Sequence, residues 1–264
     1  MKILVAVKEV AELAEQFDIS GITIGEEYFQ YDLNEWDSYA IEEAVQLNEA
    51  GLADEVVIAT IGPERSEETI RTALAKGADR AVRVWDEALD DIEVLDLHGK
   101  VELLAAVVEH EEPDIVLTGV QAGDDQFGAT GVALAERLEF GWAAVVNDLE
   151  VDSSGETISV RRELEGGIEE LANVDVPAVL TIQTGINDPR YASLRSIRQA
   201  QRKEITTLSL EELGMNSSVV ESPLELLGMA EPETEGTATY FEGEPEESAS
   251  ALASLLEGAG VVEI

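Results

Sequence analysis

Four short, largely aliphatic runs constrain this chain more than any other feature. They are KILVAV (Lys2–Val7), EVVIATIG (Glu55–Gly62), RAVRVW (Arg80–Trp85) and DIVLTG (Asp114–Gly119). Near-continuous apolar runs of this length belong to strands covered on both faces. Each is followed by a stretch of helical periodicity. Ala40, Ile41, Ala44, Val45 and Leu47 form a stripe that ends at Gly51. Ser66–Gly77 reads as a second helix, capped by Ser66 and closed by Gly77. Lys100–Glu111 and Thr130–Leu138 supply a third and a fourth. Strands alternating with amphipathic helices predict an α/β fold: an open, mostly parallel sheet with helices on both faces and right-handed crossovers.

Three further strands are expected at Trp142–Val151, Ile158–Leu164 and Val176–Gln183, with DSSGET turning between the first two. Residues 13–33 read as a short hairpin ahead of the first helix. From Met229 the composition turns to Glu, Pro, Gly and Thr, then SASALASLLEGAGVVEI resumes as a helix and a terminal strand. The organisation expected is an α/β domain over 1–228 and an acidic linker with a C-terminal arm over 229–264. Such an arm suits either a chain that wraps a partner subunit or a frayed tail.

Composition excludes several classes. The chain carries 57 acidic and 16 basic residues, a formal net charge of −41. The acids are spread from Glu9 to Glu263 among apolar residues at helix and strand spacing, unlike a disordered acidic tail. An acidic skin over an ordinary core suits a salt-accumulating microbe of the haloarchaeal type, where concentrated salt screens like charges. The same charge argues against nucleic acid or an anionic membrane as the main partner. The absence of Cys removes disulfides, thiolate catalysis and Cys-based metal sites. The start, MKILVAVKEV, is apolar for too few residues to be a signal peptide or a membrane span, so a cytoplasmic protein is expected.

The loop TGVQAGDDQFGATG (Thr118–Gly131) holds four glycines in fourteen residues and runs into a helix. Small residues let a ligand phosphate approach backbone N–H groups at a helix N-terminus. A fourth strand beside the first would place this loop next to Ala6 and Val7, where open sheets bind ligands. Packing alone also produces such loops, and neither a dinucleotide GxGxxG nor a P-loop lysine is present. Asp124 and Asp125 would repel a phosphate unless they face ribose or adenine. His98 and His110 have no acid at catalytic spacing and read as surface residues, and no nucleophile elbow or HExxH occurs. Nothing here reads as a self-contained active site, so the chain is expected to work with a cofactor or a partner.

Pro189–Lys203, PRYASLRSIRQAQRK, carries five positive charges and no acid. As a helix over Ala192–Lys203 it would place Arg195, Arg198 and Arg202 on one face and Leu194, Ile197 and Ala200 beside them. It serves either to balance acids on its own surface or to dock an acidic protein, with a leucine anchor and an arginine rim.

The segment VRRELEGGIEELANVDVPAVLTIQTGINDPRYASLRSIRQAQRKEI (Val160–Ile205) closely resembles the signature region of electron transfer flavoprotein β subunits. LVAVKEV, LNEWDSYAIEEAV and ETIRTALAKGADRAVRV also look like family segments, so the resemblance spans essentially the whole chain. It implies a Rossmann-like sheet of the adenine-nucleotide-hydrolase type. It also implies a heterodimeric electron carrier whose α subunit holds FAD, while this subunit binds AMP. Electrons would come from acyl-CoA and related dehydrogenases, as in fatty acid oxidation, and go to a quinone oxidoreductase.

By resemblance the AMP site comprises Ala6, Ile61 and the stretch Asn34, Glu35, Trp36 and Asp37 before the first helix. It continues with the loop residues Gly119, Val120, Gln121, Ala122, Gly123, Asp124, Asp125, Gln126, Phe127, Gly128, Ala129 and Thr130. Trp36 lies where relatives often have an aromatic near the flavin. Pro189, Arg190, Tyr191, Leu194, Arg195, Ile197 and Arg198 match the recognition loop, with Leu194 inserted into the dehydrogenase. Glu35 stands where relatives often have Pro, and Gly128 and Ala129 where they often have amide side chains. Electron-bifurcating relatives hold a second FAD in place of AMP, and NEWDSYAIEEA and the ending FEGEPEESASALASLLEGAGVV look like that class. Asp124-Asp125 looks like the AMP class, which is the expectation here. The competing readings are a universal-stress-like nucleotide-binding protein and an NAD-dependent dehydrogenase, the latter opposed by the missing fingerprint.

Overall fold

The aliphatic runs become neighbouring strands of one nine-stranded sheet in the structure, a computed structural model that describes residues 1–90, 92, 94–231, 238–241 and 243–261. In chain order the first elements are β1 (Lys2–Ala6), β2 (Glu9–Leu13), β3 (Ile19–Ser20), β4 (Thr23–Ile24), β5 (Phe29–Leu33), α1 (Glu35–Glu49), β6 (Glu55–Ile61), α2 (Glu67–Lys76) and β7 (Arg80–Val84). Then come α3 (Leu97–Glu111), β8 (Ile115–Gly119), α4 (Thr130–Leu138), β9 (Gly141–Val151), β10 (Thr157–Leu164), β11 (Ile168–Asp175), β12 (Ala178–Ile182), α5 (Leu194–Ala200) and β13 (Ile205–Leu208). The sheet order is β11-β10-β9-β12-β8-β1-β6-β7-β13. Neighbours are parallel except where β10 runs against β9 and β11. Contacts divide the chain into Met1–Met229 and Ala230–Ile264, and the second unit holds α6 (Pro245–Gly258), which starts on Pro245.

Alternation along β1 explains why both faces need helices. Ile3 and Val5 join Ile41, Val45, Ile70 and Leu74 of α1 and α2 in one cluster. Leu4 joins Leu103 and Val107 of α3 and Leu134 of α4 in the other. The chain winds outward from β1 through β6 and β7, then returns to place β8 on the other side of β1. The strand order therefore reverses between β1 and β8, which leaves a crevice beyond their carboxyl ends.

Several boundaries differ from the sequence reading, each for a local reason. Asn34–Asp37 do not precede the first helix: Asn34 is its N-cap, and Glu35 and Asp37 occupy its first turn, where acids suit the helix dipole. Ser66 gives its hydroxyl to Pro63 O and makes no side-chain cap. The third helix starts at Leu97 because the Asp96 carboxylate accepts from Gly99 N. The expected hairpin begins at Glu9, where β2 pairs with β5. The basic helix spans Leu194–Ala200 rather than Ala192–Lys203, capped by Ser193. β11 and β13 were not anticipated. The C-terminal helix begins at Pro245, and the expected terminal strand falls mainly on 262–264, outside the described residues. Among the described residues no helix is long and apolar enough to cross a membrane.

Candidate functional site

A cavity of about 250 Å³ opens where β1 and β8 end. Ala6, Val7, Ile61, Leu95, Leu104 and Ala122 make its apolar wall. Gly119, Val120, Gln121, Gly128, Ala129 and Thr130 of the loop after β8 and the start of α4 also line it. Lys8, Asp37, Lys100, Thr118 and Asp125 place polar groups around it. Such a mixture, mostly apolar with a few fixed polar atoms, suits a small organic ligand.

The loop after β8 is stitched to the start of α1. Asn34 Nδ2 donates to Gln121 O at 2.9 Å, and Gly123 N donates to Asn34 Oδ1 at 3.2 Å. Asp37 accepts from Lys8 N at 2.7 Å and from Gly119 N at 3.1 Å. Its carboxyl thus ties the ends of β1 and β8 to the first turn of α1. Burial pushes the Asp37 pKa up to about 7, against the lowering effect of these hydrogen bonds and of Lys8. Gly119 also lets α1 approach, since a Cβ there would lie 2.5 Å from Asp37 Oδ1 and 2.6 Å from Trp36 Cβ.

Charge concentrates at the mouth. Lys8 Nζ meets Asp124 Oδ1 at 2.5 Å and Asp125 Oδ2 at 2.9 Å, while Lys100 Nζ meets Asp125 Oδ2 at 2.6 Å. Burial works to raise the Asp125 pKa, but the two ammonium groups outweigh it and hold it down at about 2. The acid pair therefore faces lysines and is not left to repel a ligand alone. Phe127 is exposed with its ring 5.5 Å from Lys100 Nζ, and Gly128 turns the loop at φ +61°.

Of the candidate residues, Ala6, Asn34, Asp37, Ile61, Gly119–Ala122, Asp125 and Gly128–Thr130 line the cavity. Glu35, Trp36, Gly123, Asp124, Gln126 and Phe127 do not. Lys8, Leu95, Lys100, Leu104 and Thr118 line it without having been singled out. The chain has only five lysines, and two of them at this mouth are a signal that composition could have raised. Both histidines are exposed, and no group of metal-ligating residues occurs among the described residues.

The basic segment lies against α1 and α2. Asn187 Nδ2 donates to Tyr39 O at 3.1 Å and to Glu43 Oε2 at 2.9 Å. Arg190 pairs with Glu42 at 2.8 Å and Glu49 at 2.6 Å. Arg71 donates to Ala200 O at 2.7 Å and Lys203 O at 2.6 Å. Lys203 Nζ donates to Leu74 O and Ala78 O. Between these anchors Tyr191 is 100% exposed, Leu194 78% and Ile197 42%.

The pattern of the family described as "Electron transfer flavoprotein domain" matches residues 6–213. The chain is 44% identical over 262 residues to "Electron transfer flavoprotein subunit beta" of Methylophilus methylotrophus, covering 97% of this chain and 98% of that one. It is 39% identical over 234 residues to the mitochondrial β subunit of Oryza sativa subsp. indica, covering 88% and 90%. The Bacillus subtilis β subunit is 32% identical over 256 residues, with 97% of each chain covered.

Proposed function

The chain belongs to the electron transfer flavoprotein family, among its β subunits, and from that premise we propose its working role. It pairs in the cytoplasm with an α subunit that holds FAD. The heterodimer takes electrons from acyl-CoA or related dehydrogenases and delivers them through a quinone oxidoreductase towards the quinone pool. The flavin of the partner supplies the redox chemistry; this chain binds a nucleotide and presents a docking surface.

The observation that carries the reading is the cavity at the β1/β8 switch point. Its apolar wall of Ala6, Ile61 and Leu104 fits the faces of an adenine, and the backbone of Gly128–Thr130 at the start of α4 fits a phosphate. Its volume of about 250 Å³ is on the scale of a mononucleotide such as AMP, which favours AMP over a second FAD. Asn34 and Asp37 hold the loop in shape while the apolar wall and loop backbone make the contacts. Leu194, Tyr191 and Ile197 stand exposed, with Arg195 and Arg198 beside Leu194, as an apolar anchor with a cationic rim for an acidic dehydrogenase surface.

Co-expression with the α subunit in high salt tests this. One FAD and one AMP released per heterodimer is the expected count. Two FAD and no AMP would transfer the cavity to a redox role, and no flavin complex at all would remove the β-subunit assignment.

A further inference from the structure

The basic residues in and around segment 189–203 divide into two groups with different work. In Arg190 every polar group is engaged by this chain. Its backbone N–H and Nε donate to Glu42 Oε2 at 3.0 and 2.8 Å, and its two terminal nitrogens reach Glu42 and Glu49. Its carbonyl accepts from Lys76 Nζ at 3.0 Å. The side chains of Arg195, Arg198 and Arg202 make no hydrogen bond or ion pair among the described residues, whereas every other Lys and Arg side chain donates to a carboxylate or a carbonyl. In a chain with 57 acids, three arginines within eight residues and without an internal acid are set apart from the one that has two.

We infer that Arg190, clamped by Glu42 and Glu49 of α1, is the positioning residue of the docking segment. It fixes where Leu194 stands and does not itself meet the partner protein. This rests on the docking role given to Leu194 above. Bidentate guanidinium–carboxylate pairs fix direction as well as distance. Arg190 is four residues from Leu194, so its seat sets the entry of α5. Arg71 and Lys203 fix the exit through Ala200 O, Lys203 O, Leu74 O and Ala78 O. A segment held at both ends loses less conformational freedom when a partner binds, which favours docking without any added contact.

The test uses the heterodimer and an acyl-CoA dehydrogenase that the wild-type complex accepts as donor. Arg190→Ala is expected to raise KM for the donor roughly tenfold with kcat little changed. Combined with Leu194→Ala it adds nothing beyond Leu194→Ala alone, because a misplaced anchor and a missing one fail in the same way. The salt dependence of kcat/KM stays that of the wild type in Arg190→Ala and flattens in Arg195→Gln/Arg198→Gln. Amide exchange over 191–199 accelerates in Arg190→Ala. Glu49→Gln removes one half of the clamp at an exposed carboxylate, so it keeps the fold and shows a smaller rise in KM if Arg190→Ala does not fold. Additive effects of the two substitutions, a flattened salt dependence in Arg190→Ala, or an unchanged KM in both clamp variants would each overturn the inference. An unchanged KM in Leu194→Ala alone would instead overturn the docking role, and the clamp with it.

Discussion

Asp37 shows how one side chain can be part of a site and of its scaffold together. Its pKa, raised to about 7 from an ordinary 3.8, means the folded chain holds that proton more tightly than the unfolded one. Its contribution to stability is therefore fully present below the unfolded value and fades as pH rises through about 7. Relative to Asp37→Asn, the wild type should lose up to roughly 1.4 kcal/mol per pH unit across that window. Denaturant unfolding of both at fixed salt checks this, and a constant difference would refute it. Val145 is a second exceptional residue. Its φ of +61° is unusual for a β-branched side chain, at a point where β9 slips register against both neighbours. Thr181 Oγ1 accepts its N–H at 3.0 Å, and Arg162 Nε donates to Ala144 O at 2.9 Å, so the bulge has dedicated partners. Val145→Gly should raise stability by up to about 1 kcal/mol; a lower unfolding midpoint would show that valine packing outweighs the strain. Family resemblance marked Asn34 and Asp37 as site residues but gave no hint that they stitch the loop, because their partners Gln121 and Gly119 lie more than eighty residues away.

Among the elements, legibility followed burial. β1, β6, β7 and β8 are covered on both faces, so hydrophobicity alone marked them, and the stripes of α1 to α4 were as plain. β11 escaped because it is an edge strand whose Ile168 and Leu171 are exposed, leaving inward alternation only at Ala172 and Val174. β13 escaped because four residues carry too short a pattern. The length of α5 was overestimated because its ends are set by Ser193 and by the side chain of Arg71, a residue of α2. Two leucines separate packing from presentation. Leu103 of α3 is fully buried, and Leu103→Ala should cost about 2–5 kcal/mol in unfolding free energy. Leu194→Ala should change stability by less than about 0.5 kcal/mol while slowing electron transfer from dehydrogenases. Calorimetry and donor kinetics on the two variants would decide, and unfolding of Leu194→Ala would make it a core residue.

Across the whole molecule 57 acids face 16 bases, and few of the described acids are buried. A net charge of −41 repels itself across the surface, and salt shortens the reach of that repulsion from ~10 Å at 0.1 M to ~3 Å at 1 M. The melting temperature should therefore rise on the order of 10 °C between those concentrations of KCl. A melting temperature indifferent to salt would refute the halophilic reading. The net charge behind this expectation is read from composition directly, whereas the pairing of Lys8 and Lys100 with Asp125 needed the fold. The manner in which the proposed docking segment is seated has a consequence for its history. Arg71, Lys76 and Lys203 hold it through carbonyl oxygens, which every amino acid provides. The exposed positions between those anchors can thus be rewritten without loosening the mount. On the proposed docking role, one scaffold can then be retuned to different electron donors by surface substitution alone, as a tool holder accepts interchangeable bits.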